Sequence, residues 1–484
     1  MPRSPSPRRQ HAVVLGAGMA GLLAGLALAD HFPRVTIVDS DSLPAGPHSR
    51  SGIPQGNHAH GLFVQGLRVL ERLLPGISSD LVARGAVPVD IGADYAWGTI
   101  HGWGSRFTSG HHVLAASRAL FEWAVRQRVT ALPPVSLLPR HRAEGLIGTA
   151  TTVTGVTLRN TDNRRADTLD ADFVVDATGR GSRAAHWLAA LGHPRPPTTV
   201  VDPHLAYATR TYKIPYPPPP WLVCYLMMTA PATRGGIISP LEGGRWIVTL
   251  GGIGDDQPTN AEADFLPYAR TLHHPALADA LATATPLTPV TTTHTSANRR
   301  RHMENLTTQP RNFVLLGDAA CCFNPIYAQG MTAAVLGADL LHHCLERHHG
   351  PDGLAAAYHR RLATLHDTCW LLSTTADSRF PTTEGPALTP TQRILGRYLT
   401  HVIRAGTRDP HVQKTFLNVV NMTSRPSALL TPRLVTRVVT ARPARQQPGH
   451  SWPPPAGAPR GTAPAPARAT TADNATTYWS PPQT

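Results

Sequence analysis

The sequence predicts an α/β chain in which a parallel-sheet unit is split by a mixed-sheet unit and followed by C-terminal helices. Three observations predict it. Residues 12–39 read as strand, glycine-rich turn, apolar helix and second strand. Short apolar strands return much later, at 172–177 and 313–316. Between about 195 and 298 the pattern changes to strand-like runs rich in Tyr, Trp, Val and Thr, at 204–214, 221–229 and 245–251.

The remaining elements follow in order. Residues 58–74 are helix-like, with Leu62, Leu67, Leu70, Leu73 and Leu74 on one stripe. Residues 117–129 form a second helix, with Ser117 as its N-cap. Residues 152–158 alternate like a half-buried strand, and helical patterns dominate from 330 to about 440. The expected division is a disordered start over 1–10 and a first unit in two parts, 11–190 and 299–375. A sheet-based unit at 191–298 lies between those parts. A helical region at 376–440 and a Pro/Ala/Thr-rich disordered tail at 441–484 follow.

The opening segment carries the first chemistry. Val13-Val14-Leu15-Gly16-Ala17-Gly18-Met19-Ala20-Gly21 matches G-x-G-x-x-G between an apolar strand and an apolar helix. Gly16 permits the tight turn, Gly18 lets the backbone approach a diphosphate, and Gly21 lets the helix pack on the strand. The phosphates would sit at the positive end of the helix. Eighteen residues past Gly21, the strand Val35-Thr36-Ile37-Val38 ends in Asp39, a carboxylate able to accept both ribose hydroxyls of an adenosine. Together these form a Rossmann-type dinucleotide fingerprint.

The fingerprint does not say which dinucleotide. Two later features point to FAD. Gly317-Asp318 closes the strand Phe313-Val314-Leu315-Leu316, where an Asp can bind a ribityl chain. Further on, Gln329, Gly330 and Met331 open a helix whose N–H groups would face the flavin pyrimidine ring.

These residues resemble the class A flavoprotein monooxygenases, the group containing aromatic hydroxylases and squalene epoxidase. The likeness runs from about 11 to 440 and includes the fingerprint, Asp39, the segment Asp176-Ala177-Thr178-Gly179-Arg180-Gly181-Ser182 and Gly317-Asp318. Within the group the chain is most similar to actinobacterial epoxidases of polyene chains in polyether pathways. The stretches that carry this are Arg50-Ser51-Gly52-Ile53-Pro54-Gln55-Gly56-Asn57-His58-Ala59-His60, Ser117-Arg118-Ala119-Leu120, Gly244-Arg245-Trp246-Ile247-Val248-Thr249 and Asn324-Pro325-Ile326-Tyr327. The resemblance implies that Arg50 and Arg118 lie near the FAD phosphates or ribityl, and that Asp176 belongs to a nucleotide-associated motif. The chain departs from the common pattern in its Ala177-Thr178 pair and in Ala328, where many members have Gly.

The resemblance also implies the chemistry. NAD(P)H, directly or through a flavin reductase, reduces FAD. Oxygen then gives a C4a-hydroperoxide that transfers one oxygen atom to a small apolar substrate. The protein supplies positioning and a dry cavity. Trp221, Tyr225, Met227, Met228 and Trp246 are candidate pocket walls, with Tyr327 beside them. His58 and His60 are candidates for proton delivery, weakened by the presence of 25 histidines. No catalytic residue is assigned.

Composition bounds the alternatives. The net charge of +14 is nearly all Arg, with Lys213 and Lys414 the only lysines, and no basic helix interleaved with aromatics is present. Nucleic acid is therefore not an expected partner. Cys224, Cys321, Cys322, Cys344 and Cys369 form no CxxC pair, which fits reduced thiols in a cytoplasmic protein and no metal site. The uncharged run 12–29, preceded by Arg3, Arg8 and Arg9, would be a signal or membrane segment in a rival reading, but its glycines favour the dinucleotide turn and no stable membrane insertion. The rival functions are an aromatic or polyketide ring hydroxylase, a flavin-dependent isoprenoid reductase, and a basic or membrane-associated binding protein. A flavin halogenase is disfavoured, because the resemblance would require a Lys near the flavin and a Trp-x-Trp-x-Ile-Pro motif, and the first 200 residues hold no Lys.

Overall fold

In the computed structural model, residues 10–294, 297–348 and 352–441 are described. The expected disorder at 1–9 and 442–484 therefore lies outside the described residues.

Five parallel strands form the first sheet, in the order Phe313–Leu315, Phe173–Asp176, His11–Leu15, Arg34–Val38, Val135–Leu138. The central strand is buried along its whole length, as expected of a parallel strand covered on both faces. Each fully buried aliphatic chain such as Leu15 contributes roughly 1.5–3 kcal/mol. The register matters more than the strand count. Leu15 pairs with both Val38 and Asp176, and Asp176 pairs with Leu315. Four strands thus end at one level, which sets the residues after them side by side.

The helix Met19–Ala29 follows the central strand. It is apolar all round because Leu22, Leu23 and Leu28 are enclosed by the first core. No helix among the described residues is long and apolar enough to cross a membrane. The run that resembled a membrane segment is a strand end, a glycine turn and a largely buried helix.

The second sheet is mixed. Its order is Thr285–Pro286, Leu205–Lys213, Arg245–Ile253, Arg234–Leu241, Val223–Leu226, Tyr95–Thr99, Gly102–Trp103, with Thr291–Thr293 also pairing Leu205–Lys213. Only Val223–Leu226 and Tyr95–Thr99 run parallel. This amends the expected division, because residues 95–103 fall inside the span given to the first unit yet extend the second sheet. The strand Arg234–Leu241 was also missed, since its Arg-Gly-Gly start carries no strand signal. The other expected boundaries stand as a proposal.

Ser117 caps the helix Arg118–Thr130, accepting the Leu120 N–H at 3.0 Å. The leucine stripe is shorter than expected. Its helix is Val64–Leu73, because Pro54–Asn57 forms a separate tight turn and residues 58–63 are extended between them. Helices Gly330–Arg347, Leu354–Asp377, Pro390–Gly406, Pro410–Val420 and Pro432–Thr440 complete the chain. The last three build a separate core with Val64 and Ile91, against the open face of the second sheet.

Candidate active site

A cleft of about 660 Å³ opens where the strands of the first sheet end. It is lined by Gly16, Gly18, Asp39, Arg50, Arg118, Gly317, Asp318, Gly330 and Met331, so most of the sequence-predicted cofactor residues meet in one place.

The glycine turn is built for close approach. Gly16 has φ +98°, and a Cβ there would lie 2.6 Å from the Ala177 carbonyl oxygen. Gly21 does not line the cleft; its missing Cβ is needed by the turn itself, because it would lie 1.7 Å from the Gly16 carbonyl oxygen. A Cβ on Gly18, by contrast, would make only ordinary contacts with Ile53 and Arg118 at 3.6 and 3.8 Å. Gly18, Met19 and Ala20 line the cleft at the start of a helix whose first N–H groups have no intrahelical acceptor.

Asp39 is buried at the far edge of this turn. Its carboxylate accepts the Ala17 and Asp41 N–H groups at 2.7 and 2.8 Å and Arg50 Nη1 at 2.9 Å. Arg50 also donates to Asp41 at 3.0 Å and to Glu122 at 2.8 Å. Its guanidinium is therefore committed to three carboxylates and stands at the Asp39 end of the cleft. Arg118 stands over the glycine turn instead, 3.7 Å from Glu122. Burial pulls its pKa below the usual guanidinium range.

Asp176 needs a correction. It is fully buried and does not line the cleft. Its carboxylate accepts Thr178 N–H at 2.9 Å, Thr178 Oγ1 at 2.6 Å and Ser182 Oγ at 2.7 Å. It shapes the turn whose residues, Ala177, Thr178 and Gly179, do line the cleft. Asp318 sits in the cleft wall, where burial raises its carboxyl above the usual range against the guanidiniums of Arg180, Arg118 and Arg299. A Cβ on Gly330 would lie 3.6 Å from Asp318 Oδ1, so this carboxylate marks the start of the helix Gly330–Arg347. Ala328 takes φ +51°, so the preceding loop keeps a left-handed turn without the glycine common at this position.

A second, apolar cavity of about 240 Å³ joins the cleft. Residues 58–61, Tyr207, Pro325 and Ala328 line both. His58 stands at this throat, its Nδ1 2.7 Å from Thr209 Oγ1, which lies 2.7 Å from Thr249 Oγ1. Burial lowers His58 to about 4 and, with the Arg118 charge, His60 to about 3, so both rings are neutral at pH 7. Tyr225, Met227, Met228 and Tyr327 line the apolar cavity as expected, and so does Gln329.

Trp221 and Trp246 do not. They stack on each other at 5.8 Å inside the core between the second sheet and the helices Glu262–Arg270 and Ala276–Ala282. Alternation decides this: Trp246 points to the sheet face opposite Thr249. Sequence reasoning missed Trp97, Phe416 and Asp377. Trp97 lies edge-on to Tyr225 and to Phe416 at 5.2 and 6.0 Å. Asp377, at the end of a helix, is 1% exposed and accepts from Tyr327 Oη and Asn298 Nδ2 at 2.6 Å each and from Asn324 Nδ2 at 3.2 Å. Burial pushes its carboxyl up to about 6. Nothing local in the sequence marks it, because its partners come from two distant segments, at Asn298 and at residues 324–327.

The residues present fit FAD. The cleft offers a glycine turn at a helix start, a ribose-level carboxylate, and a buried polar atom without a protein partner, Arg118 Nε beside the turn. Residues 9–366 match the FAD binding domain family. The chain belongs to that family. A relative in Mycobacterium tuberculosis, protein Rv3254, is 30% identical over 428 residues, covering 84% of this chain and 89% of its own length.

Solved structures show the same fold. The flavin-dependent brominase Bmp2 has a TM-score of 0.62 at 12% identity, covering 85% of this chain and 94% of its own. The p-nitrophenol 4-monooxygenase PnpA from Pseudomonas putida has 0.61 at 17%, covering 85% and 98%. The 2-methyl-3-hydroxypyridine-5-carboxylic acid oxygenase has 0.57 at 21%, covering 81% and 97%. This member of the FAD binding domain family is an FAD-dependent enzyme with the fold of flavin monooxygenases. Among the described residues no cluster of His, Cys, Asp and Glu is placed to hold a metal, and all five cysteines are free and buried.

Proposed function

We propose that this enzyme is a monooxygenase that transfers one atom of dioxygen to an alkene of an apolar polyketide- or terpenoid-like substrate. The supporting observation is the apolar cavity that opens onto the cleft at His58 and carries no Asp, Glu or Lys among its lining residues. An alkene reacts through its own π electrons and needs no base, whereas a phenol benefits from one. The narrower likeness to polyether-pathway epoxidases belongs to this same reading.

The residues divide the work. Gly16, Gly18 and the first turn of the helix Met19–Ala29 would hold the diphosphate, Asp39 the ribose, Arg118 the phosphates, and Asp318 the ribityl chain. Bound FAD, with electrons from NAD(P)H directly or through a reductase, supplies the activated oxygen. The apolar walls exclude water and hold the double bond at the throat. Neutral His58, oriented by Thr209, can relay a proton there, taking one at one ring nitrogen as it gives one up at the other, so that no net charge is left on the ring.

The brominase likeness carries the fold alone, and Lys213 and Lys414 remain the only lysines. Turnover of candidate polyenes with NAD(P)H under labelled dioxygen tests the proposal. An epoxide carrying one labelled oxygen is expected. A saturated product formed without oxygen consumption would replace it by a reductase, and label only on phenolic substrates would replace it by a ring hydroxylase.

A further inference from the structure

We infer that the substrate of the apolar cavity carries a carboxylate, which pairs with Arg379 at the cavity wall. The inference rests on the reading of this cavity as the substrate site.

Arg379 is the one charged side chain among the lining residues. The aromatic and aliphatic wall beside it includes Phe380, Leu399, Ile403 and Phe416. Its aliphatic stem passes Gly396, where a Cβ would lie 4.0 Å from Arg379 Cδ, and its Nη1 donates to Thr400 Oγ1. Among the described residues it has no carboxylate within ion-pair distance. The acids nearest in sequence are engaged elsewhere. Asp377 is held by Tyr327, Asn298 and Asn324, and Glu384 faces His204 at 3.2 Å.

A second guanidinium, Arg404, lies near the same histidine as Arg379. Arg379, Arg404 and His401 all lie close enough to His101 to disfavour its protonation, and none of the four forms an ion pair among the described residues. His101 Nε2 is buried without a partner. A guanidinium without a carboxylate partner at an apolar cavity wall gives that wall a positive potential. A guanidinium there matches the two oxygens of a carboxylate, and the low-polarity wall strengthens the pair relative to one in water. An apolar chain ending in a carboxylate satisfies both halves of the site at once. A neutral hydrocarbon would leave Arg379 without an ionic partner.

The test uses cis-parinaric acid, a conjugated polyene acid that fluoresces in apolar surroundings, and its methyl ester, titrated into the FAD-loaded enzyme. The acid is expected to bind at least about tenfold more tightly than the ester, the scale of one charge-assisted pair. In Arg379→Gln that preference should vanish while ester affinity stays unchanged, and Arg379→Lys should restore part of it. Equal affinity for acid and ester in the wild type, or a preference that survives Arg379→Gln, would overturn the inference and leave the apolar reading standing. Binding of neither probe would overturn both. The wild-type comparison decides even if a variant fails to fold.

Discussion

Gly317 and Ala20 meet so closely that a Cβ on Gly317 would lie 2.7 Å from the Cβ of Ala20. Nearly three hundred residues of chain separate them, yet the contact fixes the Asp318 strand end against the first turn of the opening helix. That is the relationship a single cofactor cleft requires. It follows from the register that ends the strands His11–Leu15, Phe173–Asp176 and Phe313–Leu315 at one level.

Substitution at this contact should separate the two halves of the cleft. Gly317 has φ +63°, so a valine meets both a disfavoured backbone region and the Ala20 methyl. Gly317→Val is expected to lose about 2–4 kcal/mol in denaturant unfolding. Unchanged stability would mean that the contact is looser than described.

Arg50 neutralises a buried acid cluster. Its side chain is 7% exposed, and Asp39, Asp41 and Glu122 are 8%, 11% and 7% exposed. Arg50→Ala leaves Asp39 and Asp41 without a cationic partner and Glu122 with Arg118 at 3.7 Å, and should cost about 3–5 kcal/mol at neutral pH. Denaturant unfolding of the variant beside the wild type at pH 7 checks this; equal stability would contradict it.

Asp377 gives a pH signature of known sign. Its folded carboxyl is raised to about 6, so its contribution to stability is fully present below its unfolded pKa and is lost as pH rises through about 6. Asp202 adds to the upward shift. Relative to Asp377→Asn, the wild type should lose roughly 2–3 kcal/mol between pH 4 and pH 7. Parallel stability curves for the two proteins would show that folding does not raise the Asp377 carboxyl.

Much of this architecture is legible in the sequence, and the reasons are physical. The parallel strands are short apolar runs that end in Gly or Asp, so the cleft residues Gly16, Asp39 and Asp318 can be read from strand ends alone. Ser117 is legible as a cap because its hydroxyl serves a local N–H. The cavity is not legible in the same way. Trp221 and Trp246 have the composition of pocket walls, yet sheet alternation places them in the core behind it, while Trp97 reaches the cavity through a parallel pairing with Val223–Leu226 that no local pattern announces. Asp176 reads as a ligand from its motif, but its neighbours Thr178 and Ser182 consume its oxygens. Asp377 and Arg379 depend on where a long helix ends, which strand periodicity cannot supply.

Whether the opening turn holds the diphosphate of FAD is decided by the flavin content of Gly18→Val beside the wild type. A Cβ at Gly18 meets only ordinary contacts with Ile53 and Arg118, so the variant should fold, and because Gly18 lines the cleft the added methyls should crowd the diphosphate. The wild type should purify yellow, absorbing near roughly 450 nm with stoichiometric FAD, and the variant should fold equally well and be colourless. A folded Gly18→Val that retains full flavin, or a wild type that binds none, would contradict the account.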